Sequence, residues 1–282
     1  MMVKAVQQFQ LRQELSSIQQ AENTLQAMKD SGYDGIELCG FMIRKMSLAI
    51  RMLCKMAGMP IGASGNLDWH DLIEKSGLKV VSLHEHLDGL LNDPEPFVTE
   101  AKAFQTKYIV ITGMRKFDYS DENQVLQLAE KLNITGEKLL NSGIELLYHN
   151  HNCEFRKLKN RRTAYDVLIE ETDPRFVNFE FDSYWAIETG CDAAALMHRL
   201  GSRMKLYHIN DRGSRVSGET GSILKSDSME LGYGNIDLVQ LVEIAKNYGV
   251  EAVILETHQN WIDKSAVRSF QVSSEFLNQH IN

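Results

Sequence analysis

The sequence predicts an α/β chain folded as a (β/α)8 TIM barrel, a single domain over residues 1–282, and three observations carry that expectation. Eight short β-branched or apolar runs alternate with longer stretches of helical periodicity, the pattern of βα units around a parallel sheet. Polar side chains gather where those runs end, and such barrels place their sites at the C-terminal strand ends. A length of 282 residues suits one large barrel core. No G-x-G-x-x-G follows the first run, so a doubly wound dinucleotide-binding sheet lacks its signature.

The predicted strands are Lys4–Phe9, Gly35–Leu38, Val80–His84, Tyr108–Thr112, Ile144–His149, Val177–Asp182, Met204–Ile209 and Ala252–Glu256. Between the first two, Ile18, Ala21, Leu25 and Met28 mark one helix face, and Gly32 stops the helix. DENQVLQLAEKLNITGEKLLNSG precedes the fifth strand, NIDLVQLVEIAKNYGV precedes the eighth, and the tail from Lys264 to Asn282 supplies a closing helix. The stretch between the second and third strands is longer than one barrel helix needs. It predicts a Met-rich helical insertion over about 39–70, two helices joined near Pro60–Gly65. A Met stripe at helical spacing reads first as core, and otherwise as a pliable lid or the contact surface of a homo-oligomer.

Composition narrows the function. Thirty Lys+Arg against 38 Asp+Glu give a net charge of −8 with no block of like charge. That balance disfavours nucleic acid as a partner, since duplex binding depends on phosphate neutralisation, and favours a small molecule. Hydrophobic residues at 43% and charged residues at 24% exclude a disordered chain. No run reaches the roughly 20 apolar residues of a membrane span. Cys39, Cys54, Cys153 and Cys191 have no C-x-x-C spacing, which points to reduced thiols and a cytoplasmic location.

Strand parity tests which polar residues can converge. In VNFEFD, Val177, Phe179 and Phe181 form an apolar face for the helices, which turns Asp182 inward. In LYHIN, Tyr207 and Ile209 face out and His208 faces in. In VILETH, Val253 and Leu255 face out, leaving Glu256 and His258 inside. His149 and His151 share parity, as do His84 and His86. His149, Asp182, His208 and Glu256 thus form an inward set from four strands. Alone, a strand-end His is a hydrogen-bonded structural residue and an Asp there is a helix cap. Together, imidazole and carboxylate suit a divalent ion, with Mn, Zn, Co, Fe and Mg the candidates.

GYDGIEL at Gly32–Leu38, LLYHNHNCEF at Leu146–Phe155, FDSYW at Phe181–Trp185, LYHINDRG at Leu206–Gly213, LGYGNIDL at Leu231–Leu238 and LETH at Leu255–His258 run in order along nearly the whole chain. As a set they resemble the xylose isomerase-like barrels of the sugar phosphate isomerase/epimerase group, which include tagatose 3-epimerase, inosose dehydratase and hydroxypyruvate isomerase, with endonuclease IV a distant relative. The resemblance implies that Asp182, His208 and Glu256 are metal ligands. It also implies that Arg212 contacts substrate, and that Trp185 stands where some members place a substrate-binding His. Many epimerases carry a glutamate on the fifth strand, whereas this chain reads Tyr148-His149-Asn150-His151. His149 is assigned as the replacement ligand, with His151 or Glu154 as alternatives.

The implied activity is metal-dependent isomerisation or epimerisation of a small sugar, keto-sugar or polyol. Glu256 is the first choice of base, with His151 or Glu154 as its partner in moving the proton. His84 and His86 would bond substrate hydroxyls, and Glu37 would hydrogen-bond a ligand from behind. Gly232, Gly234 and the loop before them read as a mobile wall of the site, and Cys153 as an ordinary thiol. The alternatives are a metal-dependent dehydratase or lyase and a non-catalytic sugar-binding barrel. An abasic-site nuclease would need a basic surface that the composition lacks.

Overall fold

Ten strands run through the described residues: β1 (Val3–Gln7), β2 (Gly35–Cys39), β3 (Lys79–Glu85), β4 (Tyr108–Thr112), β5 (Glu145–His149), β6 (Val177–Asp182), β7 (Met204–Ile209), β8 (Asp211–Gly213), β9 (Asp227–Met229) and β10 (Ala252–Leu255). Eight of them close into a barrel in the order β1-β10-β7-β6-β5-β4-β3-β2, and β8 and β9 form a separate two-stranded sheet. The chain is therefore an eight-stranded barrel with flanking helices, a single TIM-barrel domain. The computed structural model describes residues 2–47, 52, 56, 64–114, 117–213, 227–257 and 259–281. No described helix is long and apolar enough to cross a membrane.

Contacts gather the chain into two compact units. In the first, Met1–Val81 with Ile209–Val242 and Ala252–Asn282, β1 lies parallel to β10 from Val3↔Ala252 to Val6↔Leu255 and to β2 from Ala5↔Gly35 to Gln7↔Glu37. The helix Ile18–Asp30 starts on the Ser17 cap and buries Ala21, Thr24, Leu25 and Met28. Ile18, expected on that face, begins the first turn and is 59% exposed. Gly32 takes φ +87, and Tyr33 then folds back, its hydroxyl donating to the Phe270 carbonyl of the closing helix Ala266–His280.

Of the Met-rich stretch, the short helix Gly40–Ile43 and the turn Ser64–Asn66 are described, tied together by the Ser64 hydroxyl donating to the Met42 carbonyl at 2.6 Å. The second helix of the expected pair is Trp69–Ser76, capped by Asp68, while 48–51, 53–55 and 57–63, Pro60 included, lie outside the described residues.

The sheet of β8 and β9 was not expected from sequence. Its anchor is Asp211, whose Oδ2 accepts from the backbone N–H groups of Gly232 (3.1 Å) and Gly234 (2.8 Å), while Oδ1 accepts from those of Arg212 (2.7 Å) and Ile236 (3.2 Å). Burial raises the pKa of this carboxyl, and the four donors oppose that shift without reversing it. A Cβ on Gly234 would stand 2.1 Å from Asp211 Oδ1, so only glycine lets the carboxylate come this close. The Gly232–Ile236 turn is thus pinned by hydrogen bonds, while residues 214–226 of the expected wall lie outside the described residues.

The second unit, Ser82–His208 with Glu243–Glu251, carries β4, β5 and β6 with most of β3 and β7. Strands such as YIVIT and VNFEFD are buried along nearly their whole length, as expected where a parallel sheet is covered on both faces. The helix Glu122–Leu140 is capped by Asp121 and buries seven residues at helical spacing, from Val125 to Leu139. Ala164–Glu171 opens on a reciprocal capping box between Thr163 and Asp166.

Two predictions follow from packing. A Cβ on Gly136 would lie 2.2 Å from the Phe176 carbonyl oxygen. Alanine gains about 1 kcal/mol of helix propensity, but overpacking costs roughly 1–3 kcal/mol, and a backbone neighbour yields less than a side chain. Gly136→Ala is therefore expected to unfold at a lower temperature, and an unchanged or higher midpoint in thermal denaturation would refute the clash. Asp211→Asn keeps one accepting oxygen and sets an amide against the other pair of donors. Hydrogen exchange at two of the four pinned amides should speed up by about tenfold or more, the factor for each 1.4 kcal/mol lost, and unchanged protection would show that Asp211 does not hold the turn.

Candidate metal centre

β6 sorts its side chains as the parity rule requires. Phe179 and Phe181 pack outward on Tyr165, with ring centroids 5.7 and 6.4 Å away, so Asn178, Glu180 and Asp182 take the inner face. On β7, the Tyr207 hydroxyl meets that of Ser183 at 2.9 Å, and His208, fully buried, takes the opposite face. The β6–β7 register shifts at Phe179/Glu180, so that Asp182 pairs with His208. Without the shift its partner would be Tyr207.

At the centre stands Glu180, which the sequence reading missed. Its Oε2 lies 3.0 Å from His84 Nε2, 3.0 Å from His149 Nδ1 and 3.2 Å from His208 Nε2. The imidazoles crowd one another as well: the rings of His84 and His208 stack at 5.7 Å, and those of His149 and His208 meet edge-on at 4.5 Å. Burial alone would raise the carboxyl pKa of Glu180. The charges of His208 and His84 and hydrogen bonds from His149 and His208 outweigh it, holding the group well below the usual carboxylate range. The signal was present in VNFEFD, where Glu180 shares the parity of Asp182, but an acid enclosed by two phenylalanines reads as strand interior.

Asp182 takes the helix-cap position and faces His208. Its Oδ1 caps the helix Ser183–Glu188 by accepting from Trp185 N at 3.1 Å, and its Oδ2 lies 3.9 Å from His208 Nδ1. Asn150, a second residue missed in sequence, clamps the backbone of Asp182: Nδ2 donates to its carbonyl at 2.9 Å and Oδ1 accepts from its N–H at 3.0 Å. Within the second unit, one ligand atom each from His149, Asp182 and His208 lies within 4.8 Å of the others, and the same holds for His84, Glu180 and His208. These residues are all buried.

Glu154 is buried but occupied. Oε1 accepts from the Tyr148 hydroxyl at 2.8 Å, which meets the Tyr119 hydroxyl at 2.9 Å, and Oε2 accepts from His151 N at 3.0 Å and Cys153 Sγ at 3.1 Å. Burial, and after it the charge of Glu154, raises the pKa of Tyr148 and Tyr119. The same causes push the Cys153 thiol up to about 12, which keeps it protonated and a poor nucleophile.

His151 is half-buried, its ring 4.9 Å from that of His149 and 5.8 Å from that of Trp185. His86 is exposed, at the start of the helix Leu87–Asn92. Arg212 is half-buried on β8. His258 lies outside the described residues.

The family model of the xylose isomerase-like TIM barrel matches residues 25–280. An inosose dehydratase from Mesomycoplasma hyopneumoniae (strain 7448) is 33% identical over 114 residues, a match spanning 38% of this chain and 37% of that protein. A sugar phosphate isomerase/epimerase from Parabacteroides distasonis ATCC 8503 has a similar structure, with a TM-score of 0.75 at 19% identity over 98% of this chain and 93% of that one. The IOLI protein, solved with a zinc atom, superposes with a TM-score of 0.70 at 14% identity, each chain covered in full at 100%. The family match takes in all the strands from β2 to β10, and on it the chain belongs to the xylose isomerase-like TIM barrel family.

Proposed function

We propose that this protein is a metal-dependent isomerase or epimerase acting on a small sugar, keto-sugar or polyol derivative. The observation that carries the reading is the convergence of His149, Asp182 and His208, three buried donors from three strands, to which the strand parity of the sequence adds the buried Glu256. Two imidazoles and two carboxylates are a donor set that borderline divalent ions accept. A divalent ion held there supplies Lewis-acid stabilisation of negative charge on a substrate oxygen.

The proton work falls to side chains. Glu256 accepts the proton from the carbon beside the carbonyl. His151, half-buried beside His149 and Trp185, is the partner that returns it. Glu154 is a poorer candidate for that step, because both its oxygens are engaged; it holds His151 by the backbone. Trp185 and Arg212 contact the substrate. His84 gives its Nε2 to Glu180, so any contact it makes with substrate uses Nδ1, while His86 meets substrate from an exposed position.

A dehydratase is the second reading, favoured by the Mesomycoplasma relative. Proton abstraction by the same base followed by loss of a β-hydroxyl needs the same residues. Mass analysis of products separates the two, since only the dehydratase releases water.

The purified protein is expected to hold about one divalent ion per chain. Elemental analysis of the parent beside Asp182→Ala and His208→Ala decides it, and variants that keep the parent's metal content would sink the assignment. Glu256→Gln preserves shape but accepts no proton. It should fold and lose roughly 10²-fold or more in turnover, the scale of a positioned general base, and exchange of a substrate C–H with deuterated solvent should fall in parallel. Full activity in Glu256→Gln, with exchange abolished in His151→Ala, would move the base to His151.

A further inference from the structure

One carboxylate oxygen meets three imidazoles, two of them through Nε2 and one through Nδ1. Glu180 Oε2 faces Nε2 of His84, Nδ1 of His149 and Nε2 of His208 at 3.0, 3.0 and 3.2 Å. An ionised carboxylate only accepts hydrogen bonds, so the nitrogen facing it must carry the proton. In a neutral imidazole the other nitrogen then bears the lone pair. For His149 that nitrogen is Nε2. For His208 it is Nδ1, which is the atom turned toward Asp182 Oδ2, 3.9 Å away.

We infer that Glu180 is a positioning residue that sets the tautomers of these histidines before any ligand arrives, so that His149 offers Nε2 and His208 offers Nδ1 to a cation. The second half of this statement rests on the metal site proposed above; the first does not. A single acceptor serving both ligands makes their orientations interdependent. Turning either ring would strip a hydrogen bond from a carboxylate with no exposed surface, where the loss of a charged group's partner is most costly. His84 completes the arrangement. Its ring stacks on that of His208 at an interplanar angle of 12°, so it braces the ligand both through Glu180 and face to face.

Two experiments test this. Long-range ¹H–¹⁵N correlation spectra of the metal-free wild-type protein, at a pH where the imidazoles are neutral, report which nitrogen of each ring is protonated. The expected pattern is Nδ1–H for His149 and Nε2–H for His84 and His208, and any other pattern at His149 or His208 overturns the inference without need of a variant. Glu180→Gln retains one accepting oxygen, whereas Glu180→Leu retains none. Zinc titration should rank wild type above Glu180→Gln and Glu180→Gln above Glu180→Leu, with a loss of about 10–100-fold for the leucine variant and mixed tautomers in its spectrum. Leucine spectra and affinity like those of wild type would refute the role. A wild-type protein that binds no zinc, manganese or cobalt would instead defeat the metal reading, while the tautomer pattern would still decide whether Glu180 sets the rings.

Discussion

The interior of this barrel depends on how a buried negative charge is satisfied. Glu180 sits at 0% exposure on the inner face of β6, and taking a carboxylate out of water costs several kcal/mol unless partners replace the water. Three imidazole nitrogens within 3.2 Å supply those partners. Hydrogen bonds to a charged group contribute roughly 1.5–3 kcal/mol each, so three of them are on the scale of the penalty. The arrangement is therefore mutual: the histidines keep the carboxylate charged, and the carboxylate keeps the histidines in place.

That mutual hold requires strand ends to arrive in the right phase, which is a matter of register. Side chains alternate along a strand, so a slip of one residue would exchange an inward histidine for an outward tyrosine. On β7 the irregularity opposite Phe179/Glu180 takes up one residue and brings His208 beside Asp182. Bulges of this kind re-aim side chains near sites in many sheets. Here the consequence is specific: Tyr207 goes out to Ser183, and His208 goes in to Glu180.

Much of this was legible in the chain itself. The strands Tyr108–Thr112, Val177–Asp182 and Met204–Ile209 have the predicted bounds, and the others differ only at their ends. Long apolar runs between turn residues leave little choice where both sheet faces are buried. Parity likewise placed Asp182, His208 and His149 on one face. Glu180 escaped because its neighbours are apolar and its meaning depends on three distant strands. The β8–β9 pair escaped because its strands are three residues each and Asp211 anchors them through backbone amides, which no side-chain pattern records. Glu154 was legible as a polar residue near the site but not as an occupied one, since its partners Tyr148 and Tyr119 look like ordinary core aromatics.

The fifth strand shows how one short segment serves several demands. Successive residues in Tyr148-His149-Asn150-His151 go to Glu154, to Glu180, to the backbone of Asp182 and to the ring of Trp185. Tyr148 and Asn150 hold the loop and β6 at a fixed distance, which leaves His149 little freedom to turn. A glutamate in place of His149 would add a charge beside Glu180 and remove one of its three donors. The histidine does the reverse, keeping a third donor on Glu180. On the proposed reading, that exchange makes proton transfer unequal on its two sides: a carboxylate, Glu256, takes the proton, and an imidazole returns it.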